Sequence, residues 1–157
     1  MGVIQTYGNM IKKYAPEHPL AARRMICAGL ALERFRSRHL ADRSLPGAYR
    51  YLNTYAVGEV LSALRHPEQT VWANIFAPVE ILQCFGVHTL SIECLSSFLS
   101  GFTIENYFLD YAESGGMAPT LCSYHKNFIG AVDSGVIAPA AFAVTTSTIC
   151  DGNVNTF

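Results

Sequence analysis

The sequence predicts an α/β fold, a Rossmann-like parallel sheet flanked by helices and preceded by an N-terminal helical segment. Three observations predict it. Half of the 157 residues are apolar and 15% are charged, enough to bury roughly two-thirds of the unfolded surface around one core. Charge changes abruptly near residue 66: residues 1–66 hold ten of the eleven basic residues and four acids, a formal +6, whereas residues 67–157 hold one basic residue against eight acids, a formal -7. Beyond Pro67, short apolar runs alternate with helical stretches, the pattern of parallel strands joined by crossover helices.

The basic part reads as helices. Leu20, Ala21, Ala22, Met25, Ile26, Ala28, Leu30, Ala31, Leu32 and Phe35 recur near helical spacing, with Arg23, Arg24, Arg34, Arg36 and Arg38 largely between them. The arginines form a solvated face or a surface docking on the acidic remainder. A second helix covers residues 46–64, and Arg65-His66-Pro67 ends it, because the residue before a proline disfavours helix. In the acidic part, residues 71–76 read as a buried strand, 78–85 as a helix closed by Gly86, and 87–92 as the next strand. Further helices are expected over 94–99, 104–112 and 123–132, and a last strand over 140–146, with Gly152-Asn153-Val154-Asn155 as the turn into another helix. The expected organisation is a helical segment over 1–66 and a Rossmann-like domain over 67–157, ending before a further covering element.

Composition narrows the function. A net charge of -1 lacks the basic excess of a dedicated nucleic-acid binder. No apolar run approaches the roughly 20 residues that cross a bilayer, since Pro139 and Thr145-Thr146-Ser147-Thr148 interrupt the best candidate. Five cysteines without a CxxC pair, and without a cleavable leader before them, fit free or metal-bound thiols in a reducing cytoplasm.

Ligands of open α/β sheets gather outside the carboxyl ends of the strands, and three places there carry chemistry. In Phe76-Ala77-Pro78-Val79-Glu80 a proline starts a helix and a carboxylate sits in its first turn, which also suits the helix dipole alone. In Leu121-Cys122-Ser123-Tyr124-His125 a cysteine opens a helix, where unpaired N–H groups stabilise a thiolate for nucleophilic attack or metal binding. The alternative there is a small, buried, inert thiol. In Ile149-Cys150-Asp151-Gly152 a cysteine follows a strand, and the glycine either admits a bulky group or makes a turn. Cys122 and Cys150 lie 28 residues apart, at the same expected sheet edge. They lack the paired spacing of a structural zinc site. His125, one turn from Cys122, is either the partner in a nucleophilic dyad or a solvated surface residue. Cys27, Cys84 and Cys94 sit among apolar residues and read as core.

The ordered set Phe76-Ala77-Pro78-Val79-Glu80-Ile81, Gly86-Val87, Leu121-Cys122-Ser123-Tyr124 and Thr148-Ile149-Cys150-Asp151-Gly152 resembles the 2-hydroxyacyl-CoA dehydratase family. That family includes the 2-hydroxyglutaryl-CoA dehydratase D-component and the subunits of ATP-dependent benzoyl-CoA reductase. The resemblance covers about residues 71–157 and implies the N-terminal portion of a subunit. It implies a lyase of anaerobic metabolism that eliminates water from a 2-hydroxyacyl-CoA through a ketyl radical anion, after one-electron delivery by an ATP-dependent iron-sulfur activator protein. It also implies a second dehydratase subunit as partner and a 4Fe-4S cluster bound by three cysteines. By matching motif, Cys122 and Cys150 are the first two ligands. The family's third ligand comes from a later domain not present in these residues, so the isolated chain is expected to be inactive and to lack its cluster. Three thiolates leave one iron open to polarise a substrate oxygen. Glu80 is carried over as a water-positioning or proton-accepting group, while Ser123, by its adjacency to the first ligand alone, is expected to hydrogen-bond a cluster sulfur or the open-site ligand. Two other readings stay open: a benzoyl-CoA reductase-like or double-cluster reductase of the same family, and a metal-free α/β binding or assembly module.

Overall fold

Prolines and glycines set most of the element boundaries. The computed structural model describes residues 2–148 and 150–156. Helix α1 (Val3–Tyr14) is followed by α2 (Pro19–His39), which starts on a proline whose missing N–H has no helical partner to lose. Helix α3 (Gly47–Arg65) ends before His66-Pro67, as the sequence predicts. A 3₁₀ turn over Pro67–Gln69 leads into strand β1 (Thr70–Ala73), followed by α4 (Val79–Gln83) and β2 (His88–Ser91). Helices α5 (Ile92–Gly101), α6 (Glu105–Ser114) and α7 (Ser123–Asp133) precede β3 (Phe142–Val144) and α8 (Asp151–Thr156). Gly86 takes φ 73° after α4, a conformation that admits glycine at no steric cost.

The fold is the predicted α/β class. The three strands form an open parallel sheet in the order β2-β1-β3, with Trp72 opposite Leu90 on one side and Ala143 on the other. The chain leaves β1 for β2 through α4, then crosses back through α5, α6 and α7 to reach β3 on the far side of β1. The carboxyl ends of β1 and β3 therefore lie at the point where the strand order reverses, the place where open α/β sheets accept ligands.

One apolar cluster unites the chain. It takes Ile11 from α1, Ile26 and Leu30 from α2, Val57 and Leu61 from α3, and continues through Leu90, Leu95, Leu99, Phe108 and Phe128. Trp72 meets Phe128 edge-on at a centroid distance of 4.9 Å, locking α7 against β1. Helices α6 and α7 touch backbone to backbone: a Cβ at Gly130 would fall inside the Phe108 carbonyl.

Several expectations change. Helix α1 falls inside the helical segment expected over 1–66, although no separate helix is expected there; Gly8 and Ile11 are its buried residues. In α2 the buried line is Ala22, Ile26 and Leu30, while Leu20, Leu32 and Phe35 are exposed, so the face that packs is narrower than the apolar pattern suggested. The arginines at 24, 34, 36 and 38 are exposed, as expected of a solvated face. Strand β1 stops at Ala73 rather than running to residue 76: Asn74 turns into the interior while Ile75 and Phe76 emerge into solvent. Cys84, expected in the core, is exposed at the end of the five-residue α4, with its Sγ 3.3 Å from the Glu80 carbonyl.

Candidate functional site

The switch point is closed at its base by Asn74. This residue follows β1 directly and is fully buried. Its Nδ2 donates to the Thr146 carbonyl at 3.1 Å and to Thr146 Oγ1 at 3.2 Å, binding the segment after β1 to the segment after β3. Thr145 Oγ1 donates to the Asn153 carbonyl at 3.2 Å and ties the same segment to α8. The Oδ1 of Asn74 and the Nδ2 of Asn153 are buried without a partner.

Helix α7 starts after Cys122, and its first turn reaches Cys150 through His125. Cys122 is its N-cap residue, in an extended conformation and exposed, with its carbonyl accepting from the Lys126 N–H at 3.1 Å. The preceding loop is anchored by Lys126, whose buried ammonium donates to Glu113 Oε1 at 2.5 Å and to the Pro119 carbonyl at 2.8 Å. On the opposite side of the helix, Asn127 Nδ2 donates to the Ser96 carbonyl and Ser96 Oγ to the Tyr124 carbonyl, fixing the first turn against α5. Ser123 is exposed beside Cys122.

His125 joins the two cysteine segments. It is 3% exposed, so the solvated-surface alternative is corrected: the first turn of α7 points this ring inward. Its Nδ1 lies 2.6 Å from Thr156 Oγ1, and its Nε2 lies 4.0 Å from Cys150 Sγ. The Thr156 hydroxyl donates to the Gly152 carbonyl at 2.7 Å. With that proton committed, Thr156 Oγ1 accepts from His125 Nδ1–H, which leaves the Nε2 lone pair facing the Cys150 thiol. Burial lowers the His125 pKa, opposed by the charge of Glu93, which favours the neutral ring. Gly152 permits the arrangement. A Cβ there would lie 3.0 Å from His125 Cδ2 and 3.3 Å from Cys150 Sγ. Its small size serves a close helix approach to His125 and Cys150.

The structure thus brings Cys150 against the first turn of the helix that Cys122 caps. It does not join Cys122 to His125: among the described residues no hydrogen bond links them, and the histidine's partners are Cys150 and Thr156. Glu80 stands exposed in the first turn of α4, on the segment after β1, and its carboxylate makes no hydrogen bond to Cys122, Ser123 or Cys150 among the described residues. Ile149 lies outside the described residues. Sequence reasoning missed Asn74 and Thr156. The signal for Asn74 was a single amide at the end of an apolar strand, where an uncapped polar residue needs a specific partner.

Cys122 and Cys150 are free thiols, and their donor chemistry suits iron-sulfur ligation. Among the described residues no group of three His, Cys, Asp or Glu side chains assembles a complete metal site. The two thiols fit part of a cluster-binding set and not the whole. No helix among the described residues is long and apolar enough to cross a membrane.

No curated protein and no solved structure matches the chain. A family match does cover residues 74–157, which begin at the buried Asn74 clamp and include Glu80, Cys122, Ser123 and Cys150. With more than half of its length matched, the chain belongs to the family described as 2-hydroxyglutaryl-CoA dehydratase, D-component.

Proposed function

We propose that this chain is a subunit portion of a 2-hydroxyacyl-CoA dehydratase, in which Cys122 and Cys150 are two ligands of a 4Fe-4S cluster. The observation that carries the reading is their shared edge: Cys122 caps α7, and the first turn of α7 meets Cys150 through His125. A third thiolate comes from outside residues 1–157, either from a later domain or from a partner subunit. Residues 1–66 serve as the helical support, and residues 67–157 as the Rossmann-like unit that carries the ligands.

When bound, the cluster supplies electron transfer and an open iron position. The chain's own residues do the rest. The Asn74 clamp fixes the distance between the segments after β1 and β3, so Cys150 is held at the switch point rather than on a free loop. His125 and Gly152 set the direction of the Cys150 Sγ. Ser123, exposed next to Cys122, would offer its hydroxyl as a hydrogen-bond donor beside the first ligand. Glu80, at the mouth of the same edge, positions water or takes the proton lost from the substrate's β carbon. An acyl-CoA is the substrate class, a second dehydratase subunit and an ATP-dependent iron-sulfur activator protein are the partners, and the cytoplasm is the location.

The test is product analysis on the anaerobic complex with activator, ATP and a 2-hydroxyacyl-CoA. An enoyl-CoA product, lost in Cys122→Ser and Cys150→Ser, supports the reading. A net two-electron reduction of the substrate assigns the benzoyl-CoA reductase-like chemistry instead. Full partner binding and unchanged iron content in both variants assign a metal-free assembly module.

A further inference from the structure

Helix α2 has two apolar faces, and the chain covers one of them. Ala22, Ile26 and Leu30 are buried against the core. On the other side of the helix Ala28, Leu32, Phe35 and His39 are all exposed, Leu32 at 69% and Phe35 at 56%. Their spacing alternates four, three and four residues, the a/d rhythm of a helix-to-helix seam, since residues three and four apart share a helix face. The Phe35 and His39 rings meet at a centroid distance of 4.8 Å, so the stripe is continuous over its last turn. A row this narrow has the width of a coiled-coil seam rather than that of the broad apolar face of a helix lying in a membrane surface.

The rim of the stripe sets the chemistry of what covers it. Arg24 and Arg38 stand exposed at the positions that flank such a seam on one side, and Arg36 on the other. Glu33 is the one acid of α2, and both of its oxygens accept from Arg36, at 2.6 and 2.7 Å. No arginine of α2 pairs with an acid of residues 67–157 among the described residues, so the positive charge of this rim is not answered within the chain. An isologous contact between two copies would set basic rim on basic rim. An apolar ridge flanked by carboxylates meets both demands, because it buries Leu32 and Phe35 and brings opposite charge to Arg24 and Arg38. We propose that the outer face of α2 is a docking surface for an acidic amphipathic helix of another protein, seated along Ala28, Leu32, Phe35 and His39. It stands on α2 alone and does not depend on the cluster reading.

The probe is a labelled synthetic helix of three heptads with leucine at a and d and glutamate at e and g, titrated with the full chain and read by fluorescence anisotropy. Saturable binding is expected, weakened at least about tenfold in Leu32→Ala and in Phe35→Ala, since a few central apolar anchors carry most of such a contact. Raised salt and Arg38→Glu, which reverses a rim charge, are expected to weaken it as well. These side chains are exposed, so each variant is expected to keep the parent melting temperature. The same helix with lysine at e and g is expected not to bind. Five results overturn the proposal: no saturation by the glutamate helix; equal binding of the lysine helix; unchanged binding in a folded Phe35→Ala variant; self-association of the chain that Phe35→Ala abolishes, which makes a second copy the occupant; or binding to phosphatidylglycerol vesicles that Phe35→Ala abolishes, which makes the face a membrane contact.

Discussion

The five thiols have different surroundings, and their reactivity should follow. Burial pushes the Cys27 and Cys94 thiols up, so each holds less thiolate at a given pH, while Cys84 and Cys122 stand in solvent. Timed alkylation under native conditions, read by peptide mass, is expected to label Cys84 and Cys122 first and Cys27 and Cys94 only on unfolding. Rapid native labelling of Cys27 and Cys94 would contradict the packing. Gly152 gives a second test at this scale. Gly152→Ala gains about 1 kcal/mol of helix propensity but brings a Cβ against His125 and Cys150. Little net change in stability is expected, with a clear shift of the His125 ring resonances. Undisturbed resonances would mean that α8 does not approach the ring as described. These close contacts were not legible in the sequence, because they join residues 25 and more positions apart. The candidate residues themselves were legible from their place after strands and before a helix.

Packing between elements turns on a few small or polar side chains. Gly130→Ala forces apart the backbones of α6 and α7, where no flexible side chain can yield. A loss of about 3 kcal/mol is expected by chemical denaturation, and a loss below 1 kcal/mol would show that the two helices are further apart. Lys126 connects α7 to the end of α6 and to the loop before Cys122. Lys126→Met keeps the aliphatic stem and removes the tether. It is expected to raise amide exchange over residues 115–121 while α2 and α3 keep their protection, and unchanged exchange in that loop would remove Lys126 from its anchoring role. Element identity was readable where periodicity was strong, as in α3, α5, α6 and α7. It is weakest where tertiary contacts decide: β1 is cut short because Asn74 turns inward to reach a partner 72 residues away. Cys84 was misread because a five-residue helix has too few turns to bury a consistent face.

Across the whole molecule, the boundary in charge near residue 66 is not a boundary in packing. Ile11, Ile26 and Val57 share one cluster with Leu90, Phe108 and Phe128. A single cooperative unfolding transition is expected by calorimetry, and two separated transitions would contradict the shared core. The parallel sheet and its strand order then place the segments after β1 and β3 side by side, and Cys150 comes against the first turn of the helix that Cys122 caps. By the reading proposed above, these two thiols, and not the other three, are iron-sulfur ligands. Its most direct test is anaerobic reconstitution of the chain with iron and sulfide, with a small external thiol supplied in place of the third ligand, reading bound iron and the thiolate-to-iron absorbance. Iron-sulfur binding is expected, lost in Cys122→Ser and in Cys150→Ser and kept in Cys27→Ser, Cys84→Ser and Cys94→Ser. Equal binding in the Cys122 and Cys150 variants, or loss on changing Cys84, would contradict it.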